Sequence, residues 1–225
     1  MKRVLFLIFT LLIYNTMSKA QIVTELDFQN YQGEELIYKK GKIDYIKTAL
    51  KLRDMYGLDK NNAISNTFVI EAPGKAKEEI FVEANNWFIH SFVSAKSTIE
   101  FADKDQGVLI GKGYIANVSS HQSMGGSSEV SAWIIVRVDI KDEKFRVITT
   151  IQQYDMLVIT LATAMVSNEP VPIKQLPSEC FPFKGDTFKK NCSKAFVNSH
   201  NWSNIVISKL TEAVLNGITG TEDDW

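Results

Sequence analysis

The sequence predicts an α+β fold: one antiparallel sheet in strand, helix, four strands, helix order, with both helices packed on one face. Three observations carry that prediction. Apolar residues alternate with period two over 130–140 and again over 145–151, as in strands with one buried face. They recur at three- and four-residue steps over 75–95 and 202–216, as in helices with one buried stripe. The connections between successive strands are short, which makes neighbours antiparallel. Composition agrees: 225 residues, 45% hydrophobic and 23% charged, exclude a disordered chain and a heptad rod.

The chain opens with Lys2 and Arg3, an apolar run over 4–14 and the small-residue pattern Ser18-Lys19-Ala20. This is the three-part pattern of a secretory signal peptide cleaved near Ala20, and it predicts a periplasmic or secreted protein. The apolar run is too short to span a bilayer, so no transmembrane anchor is expected. Residues 21–66 form an N-terminal segment with one helix over 44–56, where Tyr45, Ala49, Leu52 and Met55 share a side and Gly57 closes it. Lys39, Lys40, Lys42, Lys47 and Lys51 in this segment read as a solvated face.

Residues 67–217 form the α+β domain, followed by a tail over 218–225. A β-branched run over 67–70 stops at Pro73-Gly74. The helix over 75–95 turns Ile80, Ala84, Trp87, Phe88, Phe92 and Ala95 inward and Lys75, Glu79, Glu83 and His90 outward. A strand over 97–102 meets a turn over 103–107, where Gly107 is free to take positive φ. The next strand covers 108–118. Residues 119–128 (SSHQSMGGSS) read as a mobile polar hairpin loop. Val130, Ala132, Ile134, Val136, Val138 and Ile140 then face one way, and so do Phe145, Val147, Thr149 and Ile151 after the Asp142-Glu143 turn. The stretch over 155–166 fits either a strand extension or a short helix. Four of the five prolines fall within 170–182, which predicts an irregular crossing before the closing helix over 202–216, ended by Gly217.

Phe68-Val-Ile70, the Trp87-containing helix, the Asp105-Gln-Gly107 turn, Gly111-Lys112-Gly113-Tyr114 and the strand pair after them resemble the domain-of-unknown-function family 4468. The match covers about 67–154. Phe181-Pro182, Lys194-Ala195-Phe196 and the final helix are similar to the region that follows that domain. The resemblance implies an exported Bacteroidetes-type protein with a TATA-box-binding-protein-like fold. It implies no activity and carries over no site. The fold name does not import DNA binding, because fold does not imply function. A formal net charge of −1 offers no basic excess for a phosphate backbone, so no nucleic acid partner is expected.

The known reaction signatures are absent. Gly107 to Gly113 reads G-x-x-x-G-K-G, one residue short of a phosphate loop and inside a strand; its glycines read as close-packing or bending positions. G-x-S-x-G does not occur. His90, His121 and His200 have no metal-ligand spacing, so no metal and no cofactor are expected. Ser119, Ser120 and Ser123 beside His121 lie in a loop too loose for a catalytic dyad, and Glu78, Glu79 and Glu83 belong to a solvated helix face. Cys180 and Cys192, in an oxidising compartment, are expected as a disulfide, stabilising by about 3 kcal/mol. What remains is the sheet face opposite the apolar set, where the alternation puts Lys112, Tyr114, Trp133, Arg137, Arg146, Ile148 and Tyr154. Aromatic and arginine side chains together mark recognition surfaces. The sequence therefore predicts an exported, non-catalytic binding or interaction module that uses this face or the sheet–helix crevice. Its partner would be an envelope protein, a glycan or a small amphiphile. Two alternatives stay open: an enzyme or enzyme accessory with its site near 119–128 and 180–192, and a structural envelope component that docks through 21–66.

Overall fold

Period-two alternation in three long strands sets the architecture of the protein, seen in a computed structural model that describes residues 31–91, 98–166 and 169–217. The expected signal peptide and the 218–225 tail lie outside the described residues. In chain order come β1 (Tyr38–Lys39), β2 (Lys42–Ile43), α1 (Tyr45–Arg53), β3 (Gly57–Leu58), β4 (Ile64–Glu71) and α2 (Lys77–Ser91). Then follow β5 (Thr98–Asp103), β6 (Val108–Ser123), β7 (Gly126–Lys141), β8 (Lys144–Thr160), α3 (Leu161–Val166), β9 (Val171–Gln175), a 3₁₀ turn (Pro177–Glu179) and α4 (Lys189–Asn216).

β1 and β2 form a small hairpin of their own. The main sheet runs β3-β4-β8-β7-β6-β5, and β9 takes up the edge of β8 where β4 leaves off. Every pairing is antiparallel. α2 and α4 pack against this sheet, and α1 lies on α4. Each inward residue read from β7 is buried, from Val130 to Ile140, as are Phe145, Val147, Thr149 and Ile151 of β8. Burial at about 25 cal/mol per Å² of apolar surface is what holds the helix layer to the sheet. Gly111 and Gly113 are buried on the helix side of β6, opposite Val136 and Ile134. They are strand positions, not a phosphate loop.

Several expectations are corrected. The stretch over 119–128 is not a loose loop: β6 continues to Ser123 and β7 starts at Gly126, leaving Met124-Gly125 as the turn. Asn191 of α4 ties this hairpin down, accepting from Ser119 Oγ and donating from Nδ2 to Ser128 Oγ at 2.8 Å. Asn198 Nδ2 donates to the Val118 carbonyl at 2.6 Å. Only glycine fits at 126, where φ is +137° and a Cβ would lie 1.9 Å from the Ile159 carbonyl oxygen. Gly107 takes its expected positive φ of +67° and accepts from Ile140 N at 2.7 Å. The proline-rich crossing holds an edge strand, β9, which the sheet tolerates because Pro172 needs no ladder donor there.

α1 stops at Arg53, so Met55 falls beyond it and is 66% exposed, while Ala49 and Leu52 are fully buried. Asp44 caps this helix by accepting from Lys47 N at 3.2 Å. β4 begins at Ile64 rather than 67 because its register with β8 extends to the Ile64–Ile151 pair. The 155–166 stretch is both things in turn, strand to Thr160 and helix after it.

The largest correction is α4, which starts at Lys189 rather than 202 and has 28 residues. At 1.5 Å per residue that is about 42 Å. Its early turns bury Asn191, Ser193, Ser199, His200, Asn201 and Ser203 on the inside, so the stripe does not look apolar. Its cap residue, Phe188, has φ +53° and no side-chain capping bond, so the usual start signal is missing too.

Candidate functional site

Helices cover one face of the sheet, and among the described residues no helix covers the other. Outward-pointing side chains on that open face come from five adjacent strands: Val69 of β4, Phe101 of β5, Ile110, Lys112 and Tyr114 of β6, Trp133, Ile135 and Arg137 of β7, and Arg146, Ile148 and Leu157 of β8. Val69 is 62% exposed, and Phe101 and Leu157 are each 44% exposed. At the centre, Tyr114 and Trp133 are direct cross-strand partners whose rings meet edge to face at 4.9 Å. The Lys112 ammonium lies 5.2 Å from the Trp133 ring, close enough for a cation–π contact. Trp133 Nε1 donates to Asp155 Oδ2 at 2.9 Å, and Gln153 Nε2 holds the other oxygen of that carboxylate. The indole is thus fixed in place from its partner strand.

Along the same face, Arg137 Nε donates to Asp139 Oδ1 at 2.7 Å and Arg146 Nε donates to Oδ2 at 3.0 Å. Partial burial raises the Asp139 pKa, but the hydrogen bonds from Arg146 and Arg137 outweigh it and the net shift is downward. Two guanidinium groups share one carboxylate, so this end of the face keeps a positive excess. A hollow of about 300 Å³ opens beside it, lined by Val69, Asp139, Lys144 and Arg146 among others.

Lys112, Tyr114, Trp133, Arg137, Arg146 and Ile148 therefore share one face, as the alternation implies. Tyr154 does not. It is 1% exposed, on the helix side, with its hydroxyl 3.2 Å from Ser199 Oγ. The cause is a β-bulge: Trp133 pairs with Gln153 while Ile134 pairs with Ile151, so Gln152 is the extra residue and every later side chain of β8 changes face.

Sequence reasoning did not foresee the buried polar cluster that joins the N-terminal segment to α4. His200 lies within α4, 5% exposed, rather than on an approach to it. Its Nε2 is 2.7 Å from Glu35 Oε1, and Tyr56 hydrogen-bonds to its Nδ1. Tyr31 donates to Glu35 at 2.7 Å and accepts from Asn204 Nδ2 at 2.6 Å. Burial lowers the His200 pKa in spite of Glu35, so a neutral ring gives Nε2–H to the carboxylate and accepts from Tyr56. Burial raises the Glu35 pKa, but bonds from Tyr31, its own backbone and His200 carry it below the ordinary value. Burial also pushes the Tyr31 phenol up to about 12, and Tyr56 is pushed up as well.

A carboxylate–imidazole–phenol chain is the arrangement that activates a tyrosine for proton transfer. Here the void beside Tyr56 and His200 is about 10 Å³, the scale of a single water. The cluster ties Glu35 of the N-terminal segment to α4. No local pattern announces it, because Glu35 and His200 are 165 residues apart.

Cys180 and Cys192 are both buried and both free thiols, not the expected disulfide. Each is held by its own hydrogen bond, Cys180 Sγ to Gln175 Oε1 at 3.3 Å and Cys192 Sγ to the Thr187 carbonyl at 3.9 Å. The neighbouring Cys192 thiol and burial raise the Cys180 pKa, while the Cys180 thiol lowers that of Cys192. Among the described residues no cluster of His, Cys, Asp and Glu is placed to hold a metal. No helix among them is long and apolar enough to cross a membrane.

An antiparallel sheet with helices on one side defines the class, and the comparisons give it a name. The crystal structure of a TBP-like protein from Parabacteroides distasonis superposes with a TM-score of 0.50 at 12% identity, covering 70% of this chain and 96% of that one. At that identity the likeness shows the fold alone, and the fold is TBP-like. A DUF4468 family protein from Bacteroides ovatus matches at 13% identity over 68% of this chain and 88% of that one, with a TM-score of 0.41. Residues 67–154 match the family described as a domain of unknown function (DUF4468) with TBP-like fold, the same stretch that carries the resemblance in the sequence. No curated protein matches the chain.

Proposed function

We propose that this chain is an exported, non-catalytic binding module that docks an acidic partner protein on the open face of its sheet. One observation carries the reading. The sheet face that no helix covers among the described residues presents a fixed Trp133–Tyr114 pair, flanked by Lys112 and by two arginines that share one carboxylate. Trp, Tyr and Arg dominate binding energy at protein interfaces, and pre-fixed side chains lose less entropy on docking. The positive excess at Arg137 and Arg146 favours an acidic patch on the partner. In this reading residues 1–20 are removed on export, residues 21–66 are pinned onto the 67–217 domain through Glu35 and His200, and 218–225 is a tail.

The test is capture from envelope extract of an exporting host by the wild type, by Trp133→Ala/Arg137→Glu, and by Val82→Ser, a change on the exposed side of α2. The expected result is an acidic protein held by the wild type and by Val82→Ser and lost from the double variant, with all three folded. Equal capture by the double variant excludes this face.

A further inference from the structure

A separate concavity of about 430 Å³ lies where the β1–β2 hairpin, the start of α1, the outer end of β6 and the first turns of α4 meet. Lys39, Lys190 and Lys194 line it, together with one carboxylate, Asp44. That carboxylate is engaged as the cap of α1. None of the three lysines has a carboxylate partner among the described residues. Ile43 and Tyr45 supply an apolar wall, with the Lys194 ammonium 6.0 Å from the Tyr45 ring, and His121 and Ser120 close the side toward the sheet. This volume falls within the range of small-molecule sites, which combine apolar walls with a few convergent polar groups.

A second observation points the same way. Lys189 and Lys190 open α4, whose first turn holds no acidic residue, and Lys194 follows in the next turn. That end of a helix carries the positive pole of its dipole, where cations are unfavourable and anions are stabilised. Lys189 is offset by Asp186 at 3.4 Å, but Lys190 and Lys194 are not. Lys190 is thus a first-turn cation with no carboxylate partner among the described residues, in a chain whose net charge is −1.

We infer that this concavity binds a small molecule bearing a tetrahedral oxyanion ester, phosphate or sulfate, on a ring or apolar body. Lysine holds such oxyanions as a point charge, and three of them exceed what a single carboxylate ligand requires. The body of the ligand lies against Ile43 and Tyr45. The site is independent of the open sheet face, so either can fail alone.

The experiment titrates the purified protein at low salt with phenyl phosphate, phenyl sulfate and phenol, followed by calorimetry and ligand-observed NMR. Saturable binding of at least one ester is expected, with phenol at least ~10-fold weaker. The stronger of the two esters tells phosphate from sulfate as the natural group. Lys190→Ala/Lys194→Ala is expected to weaken the ester by ~10-fold or more. Its melting temperature should stay the same or rise, because two cations leave a positive pole. Trp133→Ala should bind the ester as the wild type does. No saturable binding of either ester up to about 10 mM overturns the inference. So does binding that the double lysine variant retains in full, or phenol binding as well as the esters.

Discussion

The two faces of the sheet use the same strands for opposite ends. On β7, Ile134 and Val136 are fully buried under helices, while Trp133, Ile135 and Arg137 stand on the other side. The covered face is mostly apolar, aliphatic residues with Phe145 and Tyr154 among them, and carries almost no charge. The open face mixes rings, aliphatics and guanidinium groups, and its hydrogen bonds run between side chains rather than into the core. The first face carries the packing of the core, and the second is the proposed recognition surface. Adjacent residues of one strand should therefore differ sharply in what their loss does.

The largest effect is expected from Trp202→Ala, which empties a 1% exposed position where α4 lies in the core. A loss of about 3–5 kcal/mol in urea unfolding is expected. Trp133→Ala removes an indole of similar size from the open face and forfeits one hydrogen bond and one ring contact, about 1–2 kcal/mol together. Equal losses for the two would break the division between the faces. A finer comparison uses neighbours: Ile134→Ala should lose about 2–5 kcal/mol and Ile135→Ala about 1 kcal/mol.

The pin at His200 comes next. His200→Gln should lose about 1–3 kcal/mol, because Glu35 and Tyr56 then keep buried polar groups with poorer partners. It should also change the pH profile. The folded pKa of His200 lies below its ordinary 6.5, so its contribution is complete above 6.5 and is lost as pH falls below that value. Glu35, whose folded pKa is also lowered, adds stability that is present above 4.5 and lost as pH falls through its folded value. Both act in one direction, and the wild type should lose stability from pH 7 downward. In His200→Gln the fall between 7 and 5 should be smaller. A profile unchanged by the substitution would mean that the ring is not buried as a neutral group.

Asp139→Asn should have the smallest effect, below about 1 kcal/mol at pH 7, since both of its arginine partners are exposed. Its depressed pKa places that contribution above pH 3.8, to be lost only at lower pH. A larger loss would make the open face part of the folding core.

Period two along 130–140 and 145–151, and the helical stripe through Ile80, Ala84, Trp87 and Phe88, were legible in the residues themselves. Both patterns are local, repeating every two or every three to four positions whatever the partner. They were enough to place Lys112, Tyr114, Trp133, Arg137 and Arg146 on one face. The same reading failed at Tyr154, because one extra residue at Gln152 reverses a strand's faces and a bulge is defined by the opposite strand. It failed at the start of α4, where Asn191 and His200 are inside because Ser119, Ser128 and Glu35 meet them there. It failed at 119–128, whose small polar residues look mobile until Asn191 and Asn198 bind them. Local periodicity determined which side chains turn inward along each regular run. Only the tertiary structure decided where runs start, slip and close, because those points depend on contacts between residues far apart in the chain.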